Sequence, residues 1–371
     1  MPGEPRAGHD HGGPEVIELS SVPGFVVFDL PGVPLSAGGT RLAPDVSVAE
    51  VALLARAMTY KYATIGVRVG GAKAGVQGDP MDRAARAGLM ARFVAEIAPL
   101  ANSGRLVTGP DMGTTEEDFA PLREQYAVPA AITAVVDGLP FEDMLTGFGV
   151  TAAAEAALGA RWGGGWDGRS VAIEGFGKVG GGVAREVTRR GGRVVAVSTI
   201  DGCVIDPSGL DVEGLFTLRR AYGDACVRHY GRPAVPPGEL FTAVGADVIV
   251  PGTRPGVISA HTARSLPAEV RVIAPAANVP YTAQGAEVLR QRGIVALPDF
   301  VCNVGAVLGY RAAAEATPEQ VLESVDATIT GVILDLMRHP EGPLAAAFER
   351  AHTFLRGWWG EPPGPPFAPE E

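Results

Sequence analysis

Three side chains in the first half of the chain are suited to acid–base chemistry: Lys61, Lys73 and Asp111. Lysine is rare in this sequence, because only Lys61, Lys73 and Lys178 occur among its 31 basic residues. Arginine cannot lose its proton in a protein, whereas a lysine that is crowded by another cation and removed from water can act as a base near neutral pH. Two amines and one carboxylate can together bind a carboxylate group, move a proton and activate water.

Lys61 is predicted to lie on the buried face of a helix. The spacing Ser47-x-x-Glu50 is typical of a helix start. Apolar residues follow it at spacings of three and four up to Met58, and Lys61 continues the same face. A lysine at such a position either extends to the rim of the helix or points into a cleft.

Lys73 and Asp111 lie in segments of small residues. Lys73 belongs to the glycine-rich run 70–75, which we expect to form a turn after a short strand over 65–69. Asp111 belongs to the segment 108–114, where the alternative to a chemical role is an aspartate that caps a helix or stabilises a turn.

The second half of the chain opens with a pattern typical of dinucleotide binding. Buried strands are predicted over 170–174 and 194–197, with a helix up to Arg190 between them. The sequence Gly-x-Gly-x-x-Gly lies at the turn from the first strand into this helix, where backbone N–H groups and the positive helix end can face a pyrophosphate. The predicted cofactor-binding residues of this turn are Gly175, Phe176, Gly177, Lys178, Val179 and Gly180.

The choice between NAD and NADP stays open. The second strand ends at Ser198 and Thr199 without the acidic residue that usually binds the ribose 2′-hydroxyl, and Asp201 comes slightly late. Lys178 and Ser198 would instead suit a 2′-phosphate. We therefore expect Ser198, Thr199 and Asp201 to contact the cofactor, whichever of the two it is.

Further strands are predicted over 248–250, 272–274 and 294–297, and mostly helices over 318–355. The expected fold class is α/β with two domains: an N-terminal α/β substrate domain and a doubly wound Rossmann-type cofactor domain, with a cleft between them. The predicted divisions are 1–14 as a disordered tail, 15–145 as the substrate-binding and oligomerisation domain, 146–315 as the dinucleotide-binding domain, 316–359 as helices that return toward the substrate domain, and 360–371 as a tail.

The composition excludes other classes of protein. A formal net charge of −11 argues against nucleic acid as a partner. No apolar run approaches the roughly 20 residues that span a bilayer, and the sequence lacks a signal-peptide core. Three cysteines without C-x-x-C spacing predict neither disulfides nor a zinc site, and His9-Asp10-His11 lacks further ligands, so no metal is expected. We expect a cytoplasmic protein without a membrane or nucleic-acid partner.

Six segments follow one another along the chain: Met58-Thr59-Tyr60-Lys61, Gly70-Gly71-Ala72-Lys73, Pro110-Asp111-Met112-Gly113-Thr114, Thr146-Gly147-Phe148-Gly149-Val150, Ala276-Ala277-Asn278 and Pro298-Asp299-Phe300-Val301-Cys302-Asn303. In order and spacing they resemble the glutamate/leucine/phenylalanine/valine dehydrogenases, from about Phe25 to Ala314. The resemblance implies an NAD(P)-dependent L-amino-acid dehydrogenase. Its substrates would be an L-amino acid or, in reverse, a 2-oxo acid and ammonium, and it would be a homo-oligomer.

The resemblance also implies roles. Lys61 would hold the substrate α-carboxylate, Lys73 would activate water on the iminium, and Asp111 would move protons to and from the nitrogen. Thr146 is expected near the nicotinamide and Asn278 near its ribose, and Asn303 is expected to orient both the substrate and the cofactor.

The same resemblance argues against glutamate as the substrate and favours the leucine and phenylalanine types. Ala37 and Tyr310 stand where glutamate-specific members carry a lysine and a serine, so a buried side-chain carboxylate would be unpaired. Gly109 stands where phenylalanine-type members resemble this chain, although Tyr310 could fill part of the room. We expect an apolar or aromatic L-amino acid, bound by Lys61, Ala37, Gly38, Gly109, Asn303, Val307 and Tyr310.

Other readings stay open. Lys178, Ala74 and Ala306 depart from the family pattern, which favours a divergent branch with an unusual amino-acid substrate. A hydroxy-acid dehydrogenase would need a histidine–carboxylate or arginine pair, and no motif around the histidines provides one. A thiol nucleophile at Cys302 is less common than a small packing residue there. The second class of alternative is a non-catalytic dinucleotide-binding regulator, which the joint presence of Lys61, Lys73 and Asp111 disfavours.

Overall fold

The computed structural model describes residues 13–125, 128–136 and 139–370, so His9-Asp10-His11 lies outside the described residues. The chain divides into two compact units, of which the first takes in residues up to 127 and residues 348–366. The second comprises residues 128–347 and 367–371. The chain therefore returns to the first unit within its last long helix and leaves it again after Pro366.

The first unit is a mixed sheet covered by helices. Its elements are β1 (Glu15–Glu18), β2 (Gly24–Phe28), β3 (Ser36–Ala37), β4 (Thr40–Ala43), α1 (Val48–Thr64), β5 (Gly70–Gln77), α2 (Arg83–Asn102), β6 (Leu106–Val107) and a 3-10 segment (Glu116–Gln125). The strand order is β1-β2-β5-β3-β6, and β4 also pairs with β5. The predicted buried strand at residues 25–28 and the helix that carries Lys61 are both confirmed.

The prediction of a turn over residues 70–75 was wrong, because this run is β5, the central strand of the sheet. The predicted strand over 65–69 is irregular, and Gly66, at φ +72°, follows the end of α1. The small residues of β5 serve close packing. A Cβ at Gly71 would lie 1.9 Å from the carbonyl oxygen of Ala55 on α1, and one at Gly38 would lie 1.7 Å from that of Ala72.

A buried polar cluster fixes α1 on this strand. The Thr59 hydroxyl accepts the N–H of Gly71 at 3.0 Å and donates to Asp29 at 2.6 Å. Arg56 also pairs with Asp29, at 2.5 Å. Burial raises the pKa of the Asp29 carboxyl, although Arg56 and Thr59 oppose that shift. These contacts set the register of α1 against β5. They therefore also fix the position of Lys61, which lies two residues after Thr59 on the same helix.

The second unit is a doubly wound Rossmann-type domain. Its sheet has the order β11-β10-β9-β12-β13-β14, in which only the β10–β11 pairing is antiparallel. The sheet strands are β9 (Ser170–Ile173), β10 (Arg193–Thr199), β11 (Gly202–Ile205), β12 (Val248–Val250), β13 (Val272–Ile273) and β14 (Val295–Ala296), and β7 (Val135–Val136) and β8 (Leu139–Pro140) form a separate pair. Each strand predicted from residue 170 onward is thereby confirmed.

Helices cover both faces of that sheet, as expected when the chain is doubly wound. The helices that follow β8 in the chain are α3 (Phe141–Trp162), α4 (Lys178–Arg189), α5 (Val212–Tyr222), α6 (Leu240–Ala243), α7 (Ala260–Ser265), α8 (Ala283–Gln291), α9 (Asp299–Cys302), α10 (Gly305–Tyr310), α11 (Pro318–Leu336) and α12 (Pro343–Arg356), with 3-10 segments at Ala130–Thr133, Gly223–His229 and Pro237–Glu239. Most of α12 belongs to the first unit. Among the described residues, none of the helices combines the length and the apolar character that crossing a membrane requires.

The close contact of α1 with β5 can be tested by Gly71→Ala. The added methyl group would meet backbone atoms of α1 that cannot move independently, so we expect the free energy of unfolding to fall by about 2 kcal/mol. The matched control is Gly331→Ala in α11, where a Cβ would meet nothing within 4 Å and should stabilise by ~0.5–1 kcal/mol through helix propensity. Urea unfolding followed by circular dichroism measures both. Equal stability of Gly71→Ala and the wild type would contradict this packing.

Candidate active site

The first unit brings Lys73 and Asp111 into contact. Lys73 lies on β5, and Asp111 lies in the segment after β6, so neighbouring parts of one sheet supply the two side chains. The Lys73 Nζ lies 2.9 Å from the Asp111 Oδ2, and Lys73 is only 4 % exposed. An added Cβ at Gly39 would lie 3.0 Å from the Asp111 Cβ, so the glycine leaves just enough room for the carboxylate.

Asp111 stabilises a turn through its backbone and contacts Lys73 through its side chain. The Asp111 N–H donates to the Thr114 hydroxyl at 2.9 Å, and that hydroxyl donates to the Thr40 carbonyl on β4 at 2.9 Å. Thus the turn fixes the backbone of Asp111, while its carboxylate points at Lys73.

Arg41 is a charged neighbour that the sequence reasoning missed. Its Nε lies 3.5 Å from the Asp111 Oδ2, and the other side of its guanidinium pairs with Glu50. Arg41 lies on β4 and is only 7 % exposed. The sequence analysis considered only lysines as functional cations of the site. An arginine in the middle of a strand, two residues after a Gly-Gly pair that allows close backbone packing, was the signal against that assumption.

Both cations act on the Asp111 carboxyl. Burial alone would raise its pKa, but the charges of Lys73 and Arg41 outweigh burial and lower the pKa to about 2. While both cations are charged, Asp111 is therefore a carboxylate at neutral pH. Of its two cationic neighbours, the Lys73 amine is able to lose its proton and the Arg41 guanidinium is not.

The other predicted substrate residues of the first unit surround the same strands. Lys61 is buried on α1, the helix that packs on β5. Ala37 is buried on β3, and Gly38 lies against the carbonyl oxygen of Ala72 on β5. By contrast, a Cβ at Gly109 would meet nothing within 4 Å, so open space adjoins this glycine.

In the second unit the glycine-rich turn has the geometry that a pyrophosphate requires. Gly175 has φ +85°, and a Cβ at Gly180 would lie 2.0 Å from the Gly175 carbonyl oxygen. The N-cap of α4 is Gly177, which has no side chain that could cap the helix, and the N-terminal end of a helix favours an anion. These residues fit a dinucleotide.

The residues at the end of β10 have defined partners. The buried Ser198 accepts the N–H of Gly175 at 3.3 Å through its hydroxyl and the N–H of Phe176 at 2.7 Å through its carbonyl. The Thr199 hydroxyl donates to the Asp224 carbonyl at 2.6 Å. The carboxylate of Asp201 pairs with Arg228 at 2.9 Å. Ser198 thus shapes the phosphate turn.

The two predicted asparagines are brought together. The Asn303 amide donates to the Asn278 side-chain oxygen at 2.8 Å and to the Ala276 carbonyl at 3.1 Å. Val279, next to Asn278, has φ 53°, a strained conformation for a β-branched residue. Its N–H donates to Asp299 at 2.9 Å, which holds the strained loop in place.

The remaining predicted residues lie around the same loop or further along the chain. Thr146 lies in α3, where a Cβ at Gly305 would come within 3.4 Å of its nitrogen. Val307 and Tyr310 lie on α10, and Tyr310 is partly exposed.

Cys302 is fully buried, and burial raises the pKa of its thiol well above the usual range, which excludes a thiolate nucleophile. The described residues contain no cluster of acidic, histidine and cysteine side chains able to hold a metal ion.

Known protein families match most of the chain. The family model described as Glu/Leu/Phe/Val dehydrogenase, dimerisation domain matches residues 31–128. The model described as Glutamate/Leucine/Phenylalanine/Valine dehydrogenase matches residues 137–316. These two ranges contain every residue of the candidate site.

Individual relatives agree with the family models. The glutamate dehydrogenase of Thermotoga maritima is 32 % identical over 284 residues, which cover 73 % of this chain and 67 % of the relative. The hetero-hexameric glutamate dehydrogenase of Thermus thermophilus, in a leucine-bound form, superposes with a TM-score of 0.77 at 27 % identity, covering 90 % of this chain and 84 % of that one. The L-tryptophan dehydrogenase of Nostoc punctiforme shares the fold, with a TM-score of 0.62 at 22 % identity over 93 % and 97 % of the two chains.

The electrostatic role of Arg41 can be tested by Arg41→Gln. Because the folded pKa of Asp111 lies below its unfolded value, its contribution to stability is present above about pH 4 and is lost as the pH falls toward 2. Removing the Arg41 charge raises the folded pKa, so we expect a loss of about 2 kcal/mol at neutral pH that shrinks on acidification. Urea titrations between pH 7 and pH 3 measure it, with the exposed Arg68→Gln as control. A loss that is independent of pH would show that Arg41 does not act on Asp111.

Proposed function

The chain belongs to the glutamate/leucine/phenylalanine/valine dehydrogenase family, and from this premise we propose that it catalyses the NAD(P)-dependent oxidative deamination of an apolar or aromatic L-amino acid. The products are the 2-oxo acid and ammonium, and the reaction is reversible. The observation that carries the proposal is the buried contact of Lys73 with Asp111 at 2.9 Å, because this reaction needs one amine and one carboxylate at the reacting carbon and nitrogen.

Residues of the first unit act on the amino acid. Lys61 pairs with the α-carboxylate and holds the substrate in one orientation. The Asp111 carboxylate first accepts a proton from the substrate ammonium, which leaves the nitrogen lone pair free as the Cα hydride departs. Lys73, as a neutral amine, takes a proton from the water that adds to the resulting iminium. Asp111 returns its proton to the nitrogen and is again a carboxylate. The C–N bond then breaks as the hydroxyl group on Cα forms the C=O bond and gives its proton to Asp111, and the nitrogen leaves as ammonia, which is protonated in solution. Lys73 and Asp111 finally release their protons to solvent.

Residues of the second unit hold the cofactor. Bound NAD or NADP supplies the hydride acceptor. The backbone at the start of α4, which begins directly after Gly177, would receive the pyrophosphate, and Thr146, Asn278 and Asn303 would orient the nicotinamide end. At the adenosine end the negative charge of Asp201 is balanced by Arg228. Asp201 therefore does not exclude the 2′-phosphate of NADP by electrostatic repulsion. Both NAD and NADP therefore remain candidates.

The substrate side chain is proposed to be apolar. Position 37 holds a buried alanine, which provides no cation for a side-chain carboxylate, and open space adjoins Gly109. Glutamate is the second candidate, because the relative from Thermotoga maritima is named for it. Burying an unpaired γ-carboxylate would cost several kcal/mol, which favours the apolar class.

Assembly and location follow the same premise. We propose a homo-oligomer that forms through the first unit, because the model matching residues 31–128 is described as a dimerisation domain. The relative from Thermus thermophilus is described as hetero-hexameric. The three free, buried cysteines suit a reducing compartment, which supports a cytoplasmic location.

The substrate proposal is tested by steady-state kinetics over the twenty L-amino acids with NAD and with NADP, read by the absorbance of the reduced nicotinamide. We expect the highest kcat/KM for an aromatic or branched apolar amino acid. Each buried methylene of the preferred side chain should contribute about 10- to 200-fold to kcat/KM. A clear preference for glutamate would refute the apolar class and leave the reaction type intact.

The catalytic proposal is tested by Lys73→Met, which keeps the apolar stem and removes the amine. We expect kcat to fall by at least about 100-fold, because a proton-transfer group is lost, while NADH still binds. Fluorescence titration of NADH separates catalysis from binding. If the wild type binds NADH but turns over no amino acid, the protein is a non-catalytic regulator. If Lys73→Met remains fully active, Lys73 is not the base.

A further inference from the structure

Glu174 occupies the place in the sheet where the direction of winding reverses. It directly follows β9, and Gly252 lies two residues after the end of β12, with β9 and β12 paired in parallel. From β9 the chain winds to β10 on one side, whereas β12 lies on the other side. In doubly wound sheets the crevice at the carboxyl ends of two such strands is where ligands bind. Glu174 therefore stands at that crevice, immediately before the phosphate turn.

Its carboxyl group joins two loops. The Oε2 of Glu174 accepts the N–H of Gly252 at 3.1 Å, and the Oε1 accepts the hydroxyl of Thr253 at 2.6 Å. The side chain is buried, since Glu174 is 9 % exposed. We call this set, Glu174 with Gly252 and Thr253, the loop clasp.

The two loops are packed to backbone distance on either side of the clasp. A Cβ at Gly252 would lie 2.4 Å from the Glu174 carbonyl oxygen, and one at Gly175 would lie 2.9 Å from the Thr253 Cγ2. No side chain fits between them. The spacing of the phosphate turn from the loop after β12 therefore depends on the contacts of Glu174.

Burial makes an ionised carboxylate energetically unfavourable at this position. Burial penalises the charged form and raises the pKa of Glu174, although Thr253, Gly252 and the nearby Arg254 favour the carboxylate. Arg254, which follows β12, is the charged side chain that acts on this carboxyl group, and α4, which follows the phosphate turn, carries the charged residues Lys178, Arg185, Glu186 and Arg189. A neutral carboxyl group keeps one oxygen as the acceptor for Gly252, and its protonated oxygen can donate to the Thr253 hydroxyl, whereas a carboxylate adds negative charge beside the turn proposed to receive a pyrophosphate.

We propose that Glu174 is a positioning residue for the dinucleotide: the loop clasp holds the phosphate turn in its binding geometry, and binding is tighter when the carboxyl group is protonated. The inference rests on the dinucleotide-binding part of the proposed function and not on the deamination chemistry. As the pH rises and Glu174 ionises, its charge repels the phosphates, so the affinity for the dinucleotide decreases.

The test compares Glu174→Gln and Glu174→Ala with the wild type in fluorescence titrations of NADH from about pH 5 to about pH 9. NADH is the probe because its pyrophosphate keeps a constant charge over this range. Glu174→Ala removes the clasp, and we expect its Kd to rise about tenfold at every pH, equivalent to ~1.4 kcal/mol. Glu174→Gln keeps an acceptor for Gly252 without a charge, so its Kd should match the wild type at low pH, be several-fold lower at high pH and stay flat between them.

The control is Glu323→Gln on α11, which removes an exposed carboxylate of the same domain and should reproduce the wild-type curve. A Kd of Glu174→Ala within about twofold of the wild type overturns the clasp. If the Kd for NADH changes with pH in the same way for Glu174→Gln and the wild type, the effect of protonation is overturned. This comparison does not need Glu174→Ala, so it still tests the proposal if that variant fails to fold. Failure of the deamination proposal is separate, since it would appear as absent turnover in a wild type that binds NADH normally.

Discussion

A buried ammonium group requires a counter-charge within a few ångströms, and the first unit is arranged to provide one for Lys73. Desolvating an unpaired charge costs far more than a single hydrogen bond returns. The Asp111 carboxylate provides that counter-charge, and Arg41 shares it from the other side. Glu50 in turn balances Arg41. Two cations and two anions thus form a neutral chain of contacts that ends at the N-terminal turn of α1, the helix that also carries Lys61.

Close backbone packing makes this arrangement possible. A side chain at Gly71 on β5, or at Gly38 or Gly39 between β3 and β4, would collide with neighbouring backbone. Glycine at these positions therefore brings α1, β4 and the Asp111 segment within reach of Lys73. The same glycines explain why the sequence predicted a turn here. A run of small residues gives the same local signal whether the chain reverses or another element packs on it. The partner that decides, α1, lies earlier in the sequence and acts only through the tertiary fold.

The second unit was more predictable because its signals are local. Strand, glycine turn and helix follow one another within about twenty residues, and each strand expected from residue 170 onward is present. Arg41 and Glu174 escaped the sequence reasoning for the opposite reason. Nothing in their sequence neighbourhoods shows that the one is buried against Asp111 and the other bonded to a loop nearly eighty residues further along the chain. Val279 is similar, since its strained backbone depends on a hydrogen bond to Asp299.

The two cations beside Asp111 differ in a way that matters for proton transfer. With both charged, the pKa of Asp111 is held at about 2, too low for the carboxylate to retain a proton from an amine. When Lys73 becomes neutral, as it must before it can accept a proton from water, one of the opposing charges disappears and the pKa of Asp111 rises. Arg41 cannot follow, because its guanidinium keeps its proton. The Asp111 carboxylate therefore accepts a proton more readily while Lys73 is neutral and returns to its ionised form when Lys73 is protonated. The proton affinities of Lys73 and Asp111 are thus coupled through their contact at the Asp111 Oδ2.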